Sequence, residues 1–253
     1  MPRFAANLTT LFTELPMLDR FAAAAEAGFT GAEILYPYDI AARELYRAAV
    51  SAGLEIVLIN APPPNWTGGP RGFAAVPGVE DRFRRDFERS LRVAEALRAR
   101  HIHIVAGKAQ GPAARETFTR NLAWAAERAP HASLTIEPRN VADNPGYFLS
   151  DFTLAQEILA DVGASNISIQ FDAYHAQIIS GDMLGCWRQI GPQVRHVQVA
   201  GFPGRNEPDC GSMDCGAFFR MLDEQGYKGW VSAEYSPARQ TFHGLDWIAA
   251  LSG

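Results

Sequence analysis

Four segments in the second half of the chain end, or nearly end, on a side chain that offers oxygen. Leu134-Thr135-Ile136 runs into Glu137, Ser168-Ile169-Gln170-Phe171 into Asp172 and Trp230-Val231-Ser232-Ala233 into Glu234, while His196-Val197-Gln198-Val199 carries Gln198. In the first, Leu134 and Ile136 point one way and Thr135 and Glu137 the other, the period of a strand. Pro138 follows Glu137 at once and stops that strand, because proline has no N–H for the ladder. An acid at the end of a buried strand is costly unless something pairs with it. Taken singly, such an acid is as readily explained by capping a neighbouring helix or pairing with an arginine. Four oxygen-bearing strand ends make that coincidence less credible. Three carboxylates brought together repel and cannot all stay ionised unaided, and a divalent cation resolves the conflict. Oxygen-only ligands suit a hard ion, Mg2+ or Mn2+, over zinc with its thiolates and imidazoles.

The elements that must position these side chains alternate along the whole chain. Strands are expected at residues 4–8, 31–36, 54–60, 101–107, 133–137, 167–172, 194–200 and 230–235. Helices are expected at 16–27, 40–52, 79–100, 111–129, 152–162, 183–190 and 217–226, with a short one closing through 247–251. Repeated strand–helix units argue for a parallel sheet, and eight of them for a closed (β/α)8 TIM barrel, read as one domain over residues 1–253. A doubly wound open sheet is the runner-up, but no GxGxxG fingerprint follows any strand. In a barrel the carboxyl ends of the strands form the mouth of the active site, where Glu137, Asp172, Gln198 and Glu234 would converge.

Two more residues fall where a substrate would sit. His175 lies just past Asp172, and Arg205 lies in the loop after strand seven, in Pro203-Gly204-Arg205-Asn206-Glu207-Pro208. The plainer alternatives are a surface histidine and an arginine paired with Glu207. The long Pro/Gly-rich stretch 61–78 contains Trp66 and Arg71 and has the length of a functional lid, a packed surface loop being the alternative. His101 and His103 in strand four, and Glu33 in strand two, are expected as interior hydrogen-bonding residues.

Composition narrows the classes. At 47% hydrophobic and 20% charged over 253 residues, the chain can bury a sizeable core. A net charge of −5 with no dense basic patch argues against a nucleic-acid surface. The arginines between Arg82 and Arg100 alternate with acids at helical spacing, as on a solvated helix face. Cys186, Cys210 and Cys215 form no CxxC pair and no even-numbered framework, which fits a reducing cytoplasm. Neither a signal stretch nor a membrane-length apolar run is present. A homo-oligomer is left open.

Longer motifs carry a family resemblance. Glu137-Pro138, Asn144-Pro145-Gly146-Tyr147, Gln170-Phe171-Asp172-Ala173-Tyr174-His175, His196-Val197-Gln198, the Arg205 loop and Glu234-Tyr235-Ser236-Pro237 resemble the hydroxypyruvate isomerase family, which includes the 2-oxo-tetronate isomerases. That family belongs to the xylose-isomerase-like TIM barrels. The resemblance implies that Glu137, Asp172, Gln198 and Glu234 ligate the metal, that Glu137 and Glu234 are the acid/base pair, and that His175 and Arg205 contact substrate. The implied reaction converts hydroxypyruvate to tartronate semialdehyde through an enediolate. 2-Oxo-tetronate isomerisation or ketose 3-epimerisation is the alternative within the class. A metal-dependent nuclease and a non-catalytic sugar-acid-binding barrel are the rivals outside it. Because three ligand carboxylates against one divalent ion leave a negative surplus, a hydroxy-oxo acid needs cations nearby. Arg205, Arg71 and Lys108 are the candidates, with Trp66 over the substrate. The chain departs from the family at Gly201 and at Gly211-Ser212, where acids are usual, and at Pro63-Pro64-Asn65-Trp66.

Overall fold

The computed structural model describes residues 2–62 and 71–251. In chain order the elements are β1 (Arg3–Asn7), α1 (Asp19–Glu26), β2 (Gly31–Glu33), α2 (Ala42–Ser51), β3 (Glu55–Ala61), α3 (Glu80–Leu97), β4 (His101–Ile104), α4 (Gly111–Arg128), β5 (Ser133–Ile136), α5 (Phe152–Val162), β6 (Ile167–Asp172), α6 (Ala173–Ser180), α7 (Met183–Ile190), β7 (Val194–Val199), α8 (Cys215–Glu224), β8 (Trp230–Ala233) and α9 (Asp246–Ala250). The strands close into a barrel in sequence order, every neighbouring pair parallel, with β8 returning to β1. The (β/α)8 expectation holds and the open sheet does not.

The helices form where apolar side chains recur along one face. In α3, Phe83, Phe87, Leu91, Ala94 and Leu97 are buried at spacings of three and four. Arg82, Arg84, Arg85, Arg89 and Arg92 on the same helix are exposed, the solvated face expected of them. On the other side of the barrel Phe171 meets Trp187 edge-on and Phe218 at a tilt, at centroid distances of 5.3 and 5.7 Å. Truncating Phe171 to alanine would remove those contacts at a cost of about 3–5 kcal/mol.

Three differences from the expected elements bear on the site. Strands four, five and eight end earlier than their apolar runs suggest, so Glu137 and Glu234 stand one residue past β5 and β8. Helix α6 has no counterpart among the expected elements, because it starts with no intervening turn. Asp172, the last residue of β6, is also its N-cap and accepts from the N–H groups of Tyr174 and His175 at 2.8 and 3.3 Å. Helix α8 starts two residues early because Asp214 caps it, accepting from Ala217 N–H at 2.7 Å.

Register then fixes the level of the side chains. Asp172 pairs with Gln198, and Gln198 with Ser232. Near the mouth, Gly72 and Gly107 have φ of +84° and +92°, and a Cβ on either would strike the other loop's backbone. That close approach pins the segment after residue 71 against the end of β4. Trp66 and Pro63-Pro64-Asn65 lie outside the described residues. Among the described residues, no helix is long and apolar enough to cross a membrane.

Candidate active site

Glu137 is 2% exposed and its two oxygens face different partners. Oε2 accepts from Arg139 Nε at 2.7 Å and lies 3.6 Å from His103 Nε2, while Oε1 lies 3.9 Å from His175 Nε2. Asp172 is divided in the same way. Its Oδ1 is spent on the cap of α6, and its Oδ2 accepts from Arg205 Nη2 at 2.9 Å, 3.7 Å from His175 Nε2. The same Arg205 nitrogen reaches Glu234 Oε1 at 3.2 Å. Three acids from β5, β6 and β8 thus surround one locus. The helix cap and the arginine pairs that would explain each acid singly are both present. They occupy one oxygen of Glu137 and both of Asp172, yet Glu137 Oε1 and Asp172 Oδ2 still face His175.

Gln198 is fully buried beside Asp172, with both ends of its amide engaged. Its Oε1 accepts from Gln170 Nε2 at 2.7 Å, and its Nε2 donates to Glu33 Oε1. Glu33 also accepts from Asn7 at 3.3 Å and pairs with His196 Nε2 at 3.1 Å, the interior acceptor the sequence suggested. Burial, partly opposed by the neighbouring Ser232 hydroxyl and the hydrogen bond from Gln198, pushes the Glu33 carboxyl up to about 8. Burial, together with the charges of Glu33, Asp172 and Glu137, pushes Glu234 well above the usual carboxylate range, against the pull of Arg205. Burial likewise holds His101 and His196 down to about 3, so both are neutral.

The orientation of His175 follows from its neighbour. Asn140 Oδ1 accepts from Asp143 N–H at 2.9 Å, which places its Nδ2 to donate to Asp143 Oδ2 at 3.0 Å and to His175 Nδ1 at 2.7 Å. Nδ1 is therefore the acceptor of a neutral imidazole, and Nε2 carries the proton. That N–H points toward Glu137 and Asp172. Glu137, Asp172 and His175 can offer ligand atoms within 4.8 Å of one another, a grouping that fits a metal ion. In this tautomer His175 is the donor of the group and the two acids are its oxygen ligands.

Arg205 adopts φ 53°, a left-handed conformation uncommon for a non-glycine residue. Several contacts hold it there. Its guanidinium lies 5.1 Å from the Tyr174 ring centroid, its carbonyl accepts from Ser236 N–H at 2.9 Å, and Asn206 Nδ2 donates to Ser236 O at 2.8 Å. It does not pair with Glu207, whose carboxylate accepts from Ala238 N–H at 3.1 Å. In the same loop a Cβ on Gly201 would meet the carbonyls of Glu207 and Cys210, so a side chain there requires the loop to move.

Arg71 and Lys108 are placed less directly. Both are exposed, Arg71 lying 5.6 Å from the Tyr36 ring and Lys108 bridging to Tyr147, and neither is hydrogen-bonded to the acids. Arg139 and Asn140 were not singled out from the sequence, yet each touches a candidate residue. The available signal was an arginine two positions past a strand-end acid. A cavity of about 660 Å3 opens at the opposite end of the barrel, lined by Arg100, His101, Arg195 and Lys228 among others, and holds none of the acids. Converging chemistry makes the mouth the candidate site.

The family described as "Xylose isomerase-like TIM barrel" matches residues 21–251. A 2-oxo-tetronate isomerase of Cupriavidus necator is 42% identical over 100% of both chains. A hydroxypyruvate isomerase of Escherichia coli is 37% identical over 98% of both. A crystal structure from Brucella melitensis, described as an AP endonuclease of family 2, superposes with a TM-score of 0.95 at 42% identity over 99% of both chains. Matches of this length and identity show that the chain belongs to the xylose isomerase-like TIM barrel family, among the hydroxypyruvate and 2-oxo-tetronate isomerases.

Proposed function

We propose that this isomerase interconverts small hydroxy-oxo acids by moving a proton between adjacent carbons. One observation carries the reading: Glu137 and Glu234 face one locus from opposite sides of Asp172, with Arg205 joining Asp172 to Glu234. Hydroxypyruvate to tartronate semialdehyde is the reaction to assay first. The four-carbon 2-oxo-tetronate is the second reading, supported by the name of the 42% identical relative.

The side chains fit a hard divalent cation, Mg2+ or Mn2+. Glu137, Asp172, Glu234 and Gln198 offer oxygen, and one Arg205 nitrogen already places positive charge between two of the acids. Once bound, such an ion polarises the carbonyl and neighbouring hydroxyl of a substrate and stabilises the negative charge that develops there. The remaining work belongs to the chain. Glu137 has Oε1 free to take a proton from carbon while Arg139 holds Oε2. Glu234 is held toward its protonated form and can return a proton to the neighbouring carbon. His175 presents Nε2–H to a substrate oxygen, and Arg205 sets positive charge beside it, between Asp172 and Glu234.

The description of the Brucella relative points to a nuclease instead. Phosphodiester cleavage by a metal cluster calls for several metal-ligating residues and a basic surface. Here the net charge is −5, and the metal-capable group found among the described residues contains a single histidine. The deciding experiment assays hydroxypyruvate, 2-oxo-tetronate, a neutral ketose and an abasic-site duplex, each with Mg2+ and with Mn2+. Turnover of an oxo acid supports the proposal. Preference for the neutral ketose or the duplex, or no turnover of any, defeats it.

A further inference from the structure

Arg139 stands two residues past Glu137, beyond the carboxyl end of β5, and so on the mouth side of the barrel. It spends one nitrogen on the protein. Nε donates to Glu137 Oε2 at 2.7 Å, and no described residue accepts a hydrogen bond from its two terminal nitrogens. The side chain is 18% exposed while the carboxylate it pairs with is 2% exposed, so the guanidinium reaches nearer to solvent than Glu137 does. Tyr147 backs it with a ring face, its centroid 5.4 Å from Arg139 Cζ. The Tyr147 hydroxyl is already committed, accepting from Ala106 N–H at 3.1 Å. Held by a carboxylate at one edge and a ring at its face, the guanidinium is restrained, and no described residue accepts from its outer edge.

The charge around the locus points the same way. Glu137, Asp172 and Glu234 are met by two guanidiniums, Arg139 on the first and Arg205 on the other two. Glu33 lies deeper, its oxygens occupied by Asn7, Gln198 and His196. A divalent cation added to the three acids and two arginines leaves the locus positive whether or not Glu234 keeps its proton. An anionic substrate answers that charge, and a neutral sugar does not. Arg205 has its Nη2 committed to two acids, whereas both terminal nitrogens of Arg139 lack an acceptor among the described residues, the paired donors that match a carboxylate.

We propose that Arg139 selects the anionic substrate, its terminal nitrogens binding the substrate carboxylate beside Glu137. The inference rests on the isomerase reading above, and the test separates the two. Arg139→Leu and Arg139→Lys are compared with the wild type in two ways. The first is turnover of hydroxypyruvate and of dihydroxyacetone, which has a hydroxymethyl where the acid has its carboxylate. The second is calorimetric binding of pyruvate to the Mn2+-loaded protein, since pyruvate lacks the hydroxyl needed to isomerise. Losing charge-assisted hydrogen bonds should raise the hydroxypyruvate KM and the pyruvate Kd by about 10–100-fold in Arg139→Leu. The dihydroxyacetone KM should not move, any fall in kcat from the lost Glu137 pair should be the same for both substrates, and Arg139→Lys should recover part of the affinity. Wild type that binds pyruvate but turns over no oxo acid defeats the isomerase reading alone. Wild type that fails to bind pyruvate, or an unchanged pyruvate Kd in folded Arg139→Leu, overturns the role of Arg139. So does a fall in kcat at constant KM, which would mean that Arg139 acts only by positioning Glu137.

Discussion

Replacing Asn140 should damage catalysis without Asn140 touching substrate, because it decides which nitrogen of His175 carries the proton. The structure supplies the terms. His175 is 2% exposed, its Nδ1 receives a 2.7 Å hydrogen bond from Asn140, and burial lowers its proton affinity, so it is neutral. In Asn140→Leu that bond is lost, nothing then fixes the tautomer, and a buried acceptor is left unpaired. A net hydrogen bond is worth about 0.5–1.5 kcal/mol, and an unsatisfied buried group costs about 1–3 kcal/mol. The expected loss in kcat/KM is therefore about 10–100-fold. Asn140→Asp should be worse. Its carboxylate accepts but does not donate, so it would favour Nδ1–H and turn a bare Nε2 toward Glu137 and Asp172. It would also face Asp143, now 3.0 Å from Asn140 Nδ2, so thermal unfolding must be followed in parallel. The tautomer can be read from 15N shifts of the His175 ring with Mg2+ bound. If both variants keep the Nε2–H signature, Asn140 does not set the tautomer, and if Asn140→Leu retains wild-type kcat/KM, the His175 Nε2–H has no part in catalysis.

Other outcomes follow from the same geometry. Glu137→Gln and Glu234→Gln should each lower kcat by about 10²–10⁴-fold at saturating Mn2+, and normal turnover in either removes it from the acid/base pair. Arg205→Gln removes the cation shared by Asp172 and Glu234, so without metal Tm should fall, while added Mn2+ should raise it by more than in wild type. Equal shifts in the two proteins would show that Arg205 and the ion do not answer the same charges. The metal-free protein should also lose stability between about pH 6.5 and pH 8. Glu33 keeps its proton to about 8 when folded, whereas the unfolded chain gives it up near 4.5, so the folded state binds more protons in that interval. Below 6.5 the buried neutral histidines oppose this trend, because the unfolded chain protonates them and the fold holds them down to about 3. Urea unfolding of Glu33→Gln should therefore show a shallower decline above pH 6.5, Glu234 supplying what remains, and an unaltered slope would assign it elsewhere.

Much of the barrel was legible because its signals are local and repeated. An apolar run flanked by turn residues, followed by a helix with one buried face, recurs along the chain, and strand β6 and helix α5 have the bounds their sequences suggest. Helix α6 was hidden for a physical reason. Asp172 serves as the last residue of a strand and as the cap of a helix, so no turn residue separates the two. The ends of β5 and β8 were over-extended because Glu137 and Glu234 continue the alternation of the strand after its ladder has stopped.

The acids of the site were legible for an energetic reason, and their partners were not. Unpaired carboxylates at buried strand ends are costly wherever they occur, so their mere presence demands compensation. What compensates them depends on the path of loops, which has no period to read. Arg139 reaches Glu137 only because the chain turns back at Pro138, and Asn140 reaches His175 across 35 residues of sequence. The substitutions at the mouth show the same limit from the other side. Gly201 looked like the loss of an acid. Its backbone lies so close to the carbonyls of Glu207 and Cys210 that a side chain there requires the loop to move. The missing acid leaves the mouth less negative, the direction an anionic substrate requires.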